Sequence, residues 1–158
     1  MAPKAKNAKT EVTDGDYIRM YYEHQYDRIE KNENHRLTVS NYVLTLSALA
    51  FTFGFQGGLE LNVLNGLGLP LIVIIANIAA ISNIGYTAIF IDVHRNRAHE
   101  VLQKHAPELS KVDAKHDFDD DLLNRRRKVE RRIHQLLIYV ALMPLGLYIY
   151  QTILAMMK

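Results

Sequence analysis

Seven histidines in a chain without cysteine are the first residues to test for chemistry. His94, His99 and His105 are five and six residues apart, so they do not share one helical face as a ligand pair at i and i+4 would. His116 beside Asp117, Asp119, Asp120 and Asp121 is a looser cluster, and it lacks the ligand spacing of a calcium-binding loop. The absence of cysteine excludes a disulfide framework, a thiolate zinc site and a cysteine nucleophile. There is no Gly-rich phosphate loop, no nucleophile elbow and no pair of carboxylates inside an apolar segment. The sequence therefore predicts no catalytic residue, no metal and no cofactor.

What remains is polar chemistry of another kind. The run "LPLIVIIANIAAISNIGYTAIFIDV" (69–93) carries one charge, Asp92, yet holds Asn77, Ser82 and Asn83. Ala76, Ala79, Ala80, Asn83 and Thr87 recur at three and four residues, which predicts a small and polar helical stripe. A buried amide without a partner is costly in an apolar medium, so Asn77 and Asn83 must face protein or water. Ala76, Asn77, Ala80, Asn83 and Thr87 are thus candidates for a helix interface or a pore lining. Asn41, Thr45 and Thr52 add similar groups to the preceding apolar run. Gly66 and Gly68, with Pro70, loosen the entry to the Asn-bearing segment.

These residues need elements to position them, and the charges mark those elements. No Asp, Glu, Lys or Arg lies in 37–59, 61–91 or 133–157, runs of 23, 31 and 25 residues. A hydrocarbon core of about 30 Å needs about 20 helical residues. A soluble core helix would carry charges on its outer face every turn or so. The expectation is an all-α, multi-pass protein with three spans, at 39–56, 68–91 and 134–156. Around them lie a disordered tail (1–13), a helix leading into the first span (14–38), a short external loop (57–67) and a basic helical segment (92–133). The first 36 residues are polar, so no secretory signal is expected and the first span is expected to remain as an anchor.

Seven Lys and Arg precede the first span, eleven lie in 94–132, and 56–63 has none. Short-loop basic residues stay on the cytoplasmic side. The expected topology is N-terminus inside, C-terminus outside. Arg125, Arg126, Arg127, Lys128, Arg131 and Arg132 cluster before the third span; position assigns them to topology or to lipid head groups rather than to nucleic acid. Thr13 and Asp16 resemble a capping box. Ile18, Tyr22, Tyr26 and Ile29 mark one helical face, and Tyr17, Tyr21, Tyr22 and Tyr26 form a tyrosine-rich stripe expected to pack on the chain's own 94–132 segment or on a neighbouring subunit. Pro107 divides 94–132 into a helical extension of the second span, a polar turn region, and a helix that becomes the third span, with Asp119, Asp120 and Asp121 at its start, as the helix dipole favours.

The stretch 21–55, through Tyr22, Tyr26, Arg28, Glu33, Asn34, Arg36, Leu37 and Asn41, resembles the N-terminal segment of the RipA-like family of small bacterial inner-membrane proteins. It is more loosely similar to the SLATT-type effectors of phage-defence operons, whose pattern has two spans where this chain has three. The RipA-like resemblance implies a homo-oligomer of about eight copies without known enzymatic chemistry. Arg28 with His35, and Arg127 with His134, each have six residues between them, which resembles the Arg–His motif of HEPN ribonucleases; His134, at the start of an apolar run, is poorly placed to meet RNA. Two functions follow as expectations. One is a homo-oligomeric pore or membrane-perturbing effector gated by cytoplasmic helices, in stress or phage defence. The alternative is a non-conducting scaffold or regulator of envelope lipid homeostasis. The expected partners are other copies of the chain and membrane lipids, with an operon-encoded partner unidentified.

Overall fold

A computed structural model describes the backbone of residues 13–56, 61–113 and 118–157. The disordered tail expected at 1–13 falls almost wholly outside the described residues, as do His116 and Asp117 and the side chains of Asp119, Asp120 and Asp121. The described residues are helical almost throughout and contain no strand. Thr13 opens the first helix, α1 (Asp14–Phe55): its hydroxyl accepts the Asp16 N–H at 3.3 Å and the Asp16 carboxylate accepts the Thr13 N–H at 3.0 Å. That reciprocal cap satisfies two donors that the first turn would otherwise leave open. Hydrogen bonds to Thr13 hold the Asp16 carboxyl below the usual carboxylate range. From this cap α1 runs without a break through the charged segment and into the apolar one.

Between α1 and the next long helix the sequence predicts a loop, and the structure differs. Val63–Gly68 forms a π-helical turn, capped by the Asn62 side chain, which accepts the Asn65 N–H at 2.9 Å. It leads directly into α2 (Leu69–His105), with Pro70 in the first turn, where its missing N–H costs nothing. The cause is contact with the last helix. A Cβ on Gly66 would sit 2.5 Å from the ring of Tyr148 and 2.7 Å from its Cβ, so the turn closes only because residue 66 has no side chain. Gly66→Ala is expected to destabilise the fold by about 1–3 kcal/mol, the usual cost of overpacking, seen as a lower melting temperature in detergent. An unchanged melt would mean that this contact is not part of the native packing.

α2 ends at Ala106. A short helix, α3 (Pro107–Asp113), occupies the first part of the expected turn region and packs on α2. α4 (Phe118–Met156) then runs through Pro144 without interruption. Three helical stretches are long and apolar enough to cross a membrane: within α1, in the π turn with α2, and within α4.

α2 is the central helix. Its buried residues are Pro70, Val73, Asn77, Ala80, Ile84, Thr87, Ile91, His94 and Ala98, spaced alternately three and four apart. That is the heptad seam of helices crossing at a shallow left-handed angle. α1 and α4 each pack along α2, whereas their own backbones scarcely approach one another. α1 and α4 meet through side chains that bridge the gap. At the apolar end Ala50, Val73 and Ala141 form a small core with Phe51, Leu69 and Ile74 against it. The outward residues there are large and aliphatic, including Leu71, Ile75, Ile78, Leu136 and Met143.

Candidate functional site: a polar file inside the bundle and a polar face outside it

Below the Ala50–Val73–Ala141 core the interior turns polar. Asn77, Ser40, Ser47 and His134 are all buried. The Asn77 side-chain N–H2 donates to Ser47 Oγ and to the Val73 carbonyl, both at 2.8 Å. Its Oδ1 faces His134 Nδ1 at 2.6 Å, and His134 Nε2 lies 2.7 Å from Ser40 Oγ. With the Asn77 donors committed, Oδ1 must accept, so Nδ1 carries the ring hydrogen and the neutral ring accepts the Ser40 hydroxyl on Nε2. Ser47 passes its own hydrogen to the Val43 carbonyl at 2.8 Å. One amide and one imidazole thereby tie three helices together with every donor placed.

Ser40, His134 and Asn77 also stand in the order nucleophile, base, orienting group. The surroundings do not suit acyl transfer. Ser40 is 3% exposed and His134 is fully buried. Ser40 sits in the middle of α1, where backbone N–H groups are spent on the helix and none is free to hold an oxyanion. The arrangement can fasten helices; it offers no place for a substrate carbonyl.

One to two turns further along lie five charged groups. Arg36 donates to Glu33 at 2.6 Å and pairs with Glu130; Arg127 donates to Glu33 at 3.0 Å and stands 4.0 Å from Asp92. Arg36 and Arg127 are buried. Two buried cations face two half-buried carboxylates, with the exposed Asp92 at the edge of the cluster. Burial opposes ionisation of Glu33, but hydrogen bonds from Arg36 and Arg127 outweigh it and hold the carboxyl below its ordinary value. This corrects the reading of Arg127, grouped by sequence with the head-group cations. It turns into the bundle because Glu33, a full helix away, supplies a partner. Arg125, Arg126, Lys128, Arg131 and Arg132 are exposed. Arg127 and His134, one heptad apart on α4, both point inward, which removes them from any RNA-facing role.

Deeper still in the charged half, His94 Nδ1 meets Gln25 Oε1 at 2.7 Å, both residues buried. Burial first, then the nearby cations Arg28 and Arg97, depress the basicity of this ring. In the unfolded chain it protonates near the ordinary value of about 6.5; in the folded chain it does so only at lower pH. Between those two values the unfolded state binds more protons, so stability falls as pH drops below about 6.5. His94→Gln is expected to flatten the melting-temperature slope between roughly pH 7 and 5; an unaltered slope would remove His94 as its source. Glu33 acts at more acid pH, where its stabilisation is lost as pH falls through its lowered value.

The residues singled out from sequence divide. Asn77, Ala80 and Thr87 are buried in the seam between α2 and its own neighbours, and Ala76 and Asn83 are half-buried beside it. Asn83 Nδ2 is buried without a hydrogen-bond partner among the described residues. Ile84, next to Asn83, is 1% exposed and lies in the seam. Of the tyrosines, Tyr22 is half-buried and lies 4.8 Å from the Tyr26 ring, while Tyr17, Tyr21 and Tyr26 are exposed. Tyr22 with Ile18, Gln25 and Ile29 faces the chain's own bundle; the other three have no such cover. Among the described residues no three His, Asp or Glu side chains converge as a metal site requires.

One feature was only partly marked by sequence. Thr38, Asn41, Thr45, Ala48 and Thr52 are all exposed and recur at three and four residues, directly opposite the buried face of α1. The threonines return their hydroxyls to the helix: Thr38 to Asn34 O, Thr45 to Asn41 O and Thr52 to Ala48 O, at 2.8–2.9 Å. Such groups tolerate lipid. Asn41 has no such bond among the described residues, and its amide stands outside the bundle in the apolar segment. The outward face of α4 at the same levels is aliphatic and aromatic: Leu136, Tyr139, Val140, Met143, Leu147. The bundle thus has one polar outer side and one fatty outer side. Searches against family models, curated proteins and solved structures find no match to this chain.

Proposed function

We propose that this chain is a homo-oligomeric bacterial inner-membrane protein in which α1 of each copy borders a shared water-filled opening, controlled by the cytoplasmic halves of the helices. The observation that carries the reading is Asn41, an exposed amide in an apolar segment, in line with Thr38, Thr45, Ala48 and Thr52. An unpaired amide in hydrocarbon costs several kcal/mol, and water or a neighbouring copy removes that cost. The lining thereby moves from α2, whose Asn77, Ala80 and Thr87 are closed into the seam, to α1. The basic-residue distribution sets the N-terminus inside and the C-terminus outside. The likeness to the RipA-like family suggests about eight copies, and the likeness to SLATT-type effectors suggests a defence or stress setting. Neither the polar node nor the ion cluster favours an enzyme.

The alternative is a non-conducting scaffold in which the α1 stripe is a packing seam between copies and the exposed Tyr17, Met20 and Tyr21 dock a cytoplasmic partner. Planar-bilayer recording of the purified oligomer separates the two. Wild type is expected to conduct. Asn41→Leu with Thr45→Leu is expected to abolish conductance in an intact oligomer, because an apolar constriction dewets, while Tyr139→Leu on the lipid side has no effect. A silent wild-type oligomer, or dissociation caused by the α1 variant, supports the scaffold and overturns the pore.

A further inference from the structure

α2 stays apolar for longer than its neighbours. At about 1.5 Å per residue, the exposed Arg131 and Arg132 of α4 lie roughly 3–5 Å towards the charged end from the Asn77–His134 contact. Tyr86, Ile89, Phe90 and Val93 lie roughly 14–24 Å towards that end on the same scale. Yet Tyr86 is 68% and Ile89 63% exposed. At that depth the outer faces of α1 and α4 carry charges, among them Lys31, Arg125 and Lys128, which argues against a cover of lipid tails and places the last turns of the expected 68–91 span outside the hydrocarbon.

The sides of the bundle can be assigned. Asp92 on one flank of α2 approaches Arg127 of α4, and His94 on the other meets Gln25 of α1. Tyr86 and Val93 therefore point directly away from both, as a ridge. On the opposite side, α1 and α4 are bridged among the described residues by Ser40–His134, Arg36–Glu130 and Glu33–Arg127. Beyond those bridges a groove opens. Its lips are Tyr26 and Leu37 of α1 and Leu122, Val129 and Ile133 of α4, all exposed. Most of these lips span roughly the same depths as the ridge, about 8–26 Å by helical rise.

We infer that the ridge of α2 seats in the α1–α4 groove of a second copy of this chain, head to tail, and that repetition of this contact closes the ring. The inference rests on the homo-oligomeric reading above. Charge complements shape. Asp92, 60% exposed on the α4 flank of the ridge, lies on the side of exposed Arg126 of the partner groove, and exposed Arg97 on the α1 flank lies on the side of exposed Glu30; each pair is offset by roughly 10 Å of helical rise, a gap of the kind Arg127 spans to reach Asp92 within one copy. With aromatic side chains presenting ~150–250 Å² each, the ridge exposes roughly 400 Å², about half of the ~800 Å² per partner of a standard contact. Leu71, Ile75 and Ile78 continue the same ridge at lipid depth and supply the remainder. A contact between unlike surfaces generates a ring when its rotation closes. It also leaves α1 on one radial side and α4 on the other: the polar Asn41 stripe faces the lumen and the aliphatic face of α4 faces lipid.

The chain has no cysteine, so introduced pairs report cleanly. Tyr86→Cys with Val129→Cys, oxidised in phosphatidylethanolamine–phosphatidylglycerol vesicles, is expected to give a ladder of linked multimers, and neither single variant to give dimers. Dimers from Tyr86→Cys alone would show like surfaces meeting and overturn the head-to-tail contact. Arg97→Glu and Glu30→Arg are each expected to cause loss of oligomer at fixed protein concentration, and the double exchange to restore it; no loss, or no restoration, counts against the contact. Native mass measurement distinguishes the two levels. An oligomer without cross-links overturns this contact alone, and a monomer in lipid overturns the oligomeric reading with it.

Discussion

Arg36→Met is expected to be among the most destabilising single changes in the chain, about 3–5 kcal/mol, the cost of stranding a buried charge by deleting its partner. Arg36 is 3% exposed and serves both Glu33, on its own helix, and Glu130, on α4. Without it, Glu130 loses the only cation paired with it among the described residues, while Glu33 keeps Arg127 at 3.0 Å. The bridge that holds α1 beside α4 is then an uncompensated carboxylate. Thermal unfolding in mild detergent measures the loss. Arg36→Met with Glu130→Met should recover much of it, since replacing a whole buried pair with apolar groups is often close to neutral. Should Arg36→Met melt like wild type, the cluster would be solvated and the tight α1–α4 bridge would not exist.

The helices and their apolar segments were legible because charge is so segregated along the chain: with no charge in 37–59, 61–91 or 133–157, length alone picks out the candidate spans. The Thr13–Asp16 cap was legible because it is local. The face of α2 was only half legible. Small and polar residues drew attention to Ala76, Ala79, Ala80, Asn83 and Thr87, while the buried seam runs through Val73, Asn77, Ala80, Ile84 and Thr87, turned by part of a residue step. In an apolar helix a large aliphatic residue suits lipid and core equally, so nothing in the sequence placed Ile84 and Ile91 inside. The ion cluster was not legible at all. Arg127 stands within a basic run, and only the register of α4 against α1, set by contacts 94 residues apart such as Ser40–His134, turns it towards Glu33. The π turn depended on a similarly distant fact, the ring of Tyr148 against Gly66.

Asn77→Leu is the second change expected to act strongly, and its partner variant tells what the node is for. Leucine removes the acceptor for His134 Nδ1–H and the donor to Ser47. A buried group left without its partner costs about 1–3 kcal/mol, and two are affected, one on α4 and one on α1. The melting temperature should fall clearly, and Ser47→Ala, which leaves the Asn77–His134 bond, should cost less. Asn77→Leu with His134→Leu is expected to regain much of the stability, because the Asn77–His134 pair is removed whole and only the Ser40 hydroxyl is left to turn back to a helix carbonyl, as Ser47 does to Val43. What it should not regain is alignment. A seam of residues spaced by three and four can slip by a heptad, and one buried polar contact is the usual device that forbids the slip. Cysteines at Val73 and Ala141, which belong to one buried cluster with Ala50, report the register: they should couple fully on oxidation in the native background and incompletely in the double leucine variant. Full coupling in a stable double variant would mean that the ion cluster and Gly66 fix the register without help, and that the Asn77–His134 contact stabilises the bundle and nothing more.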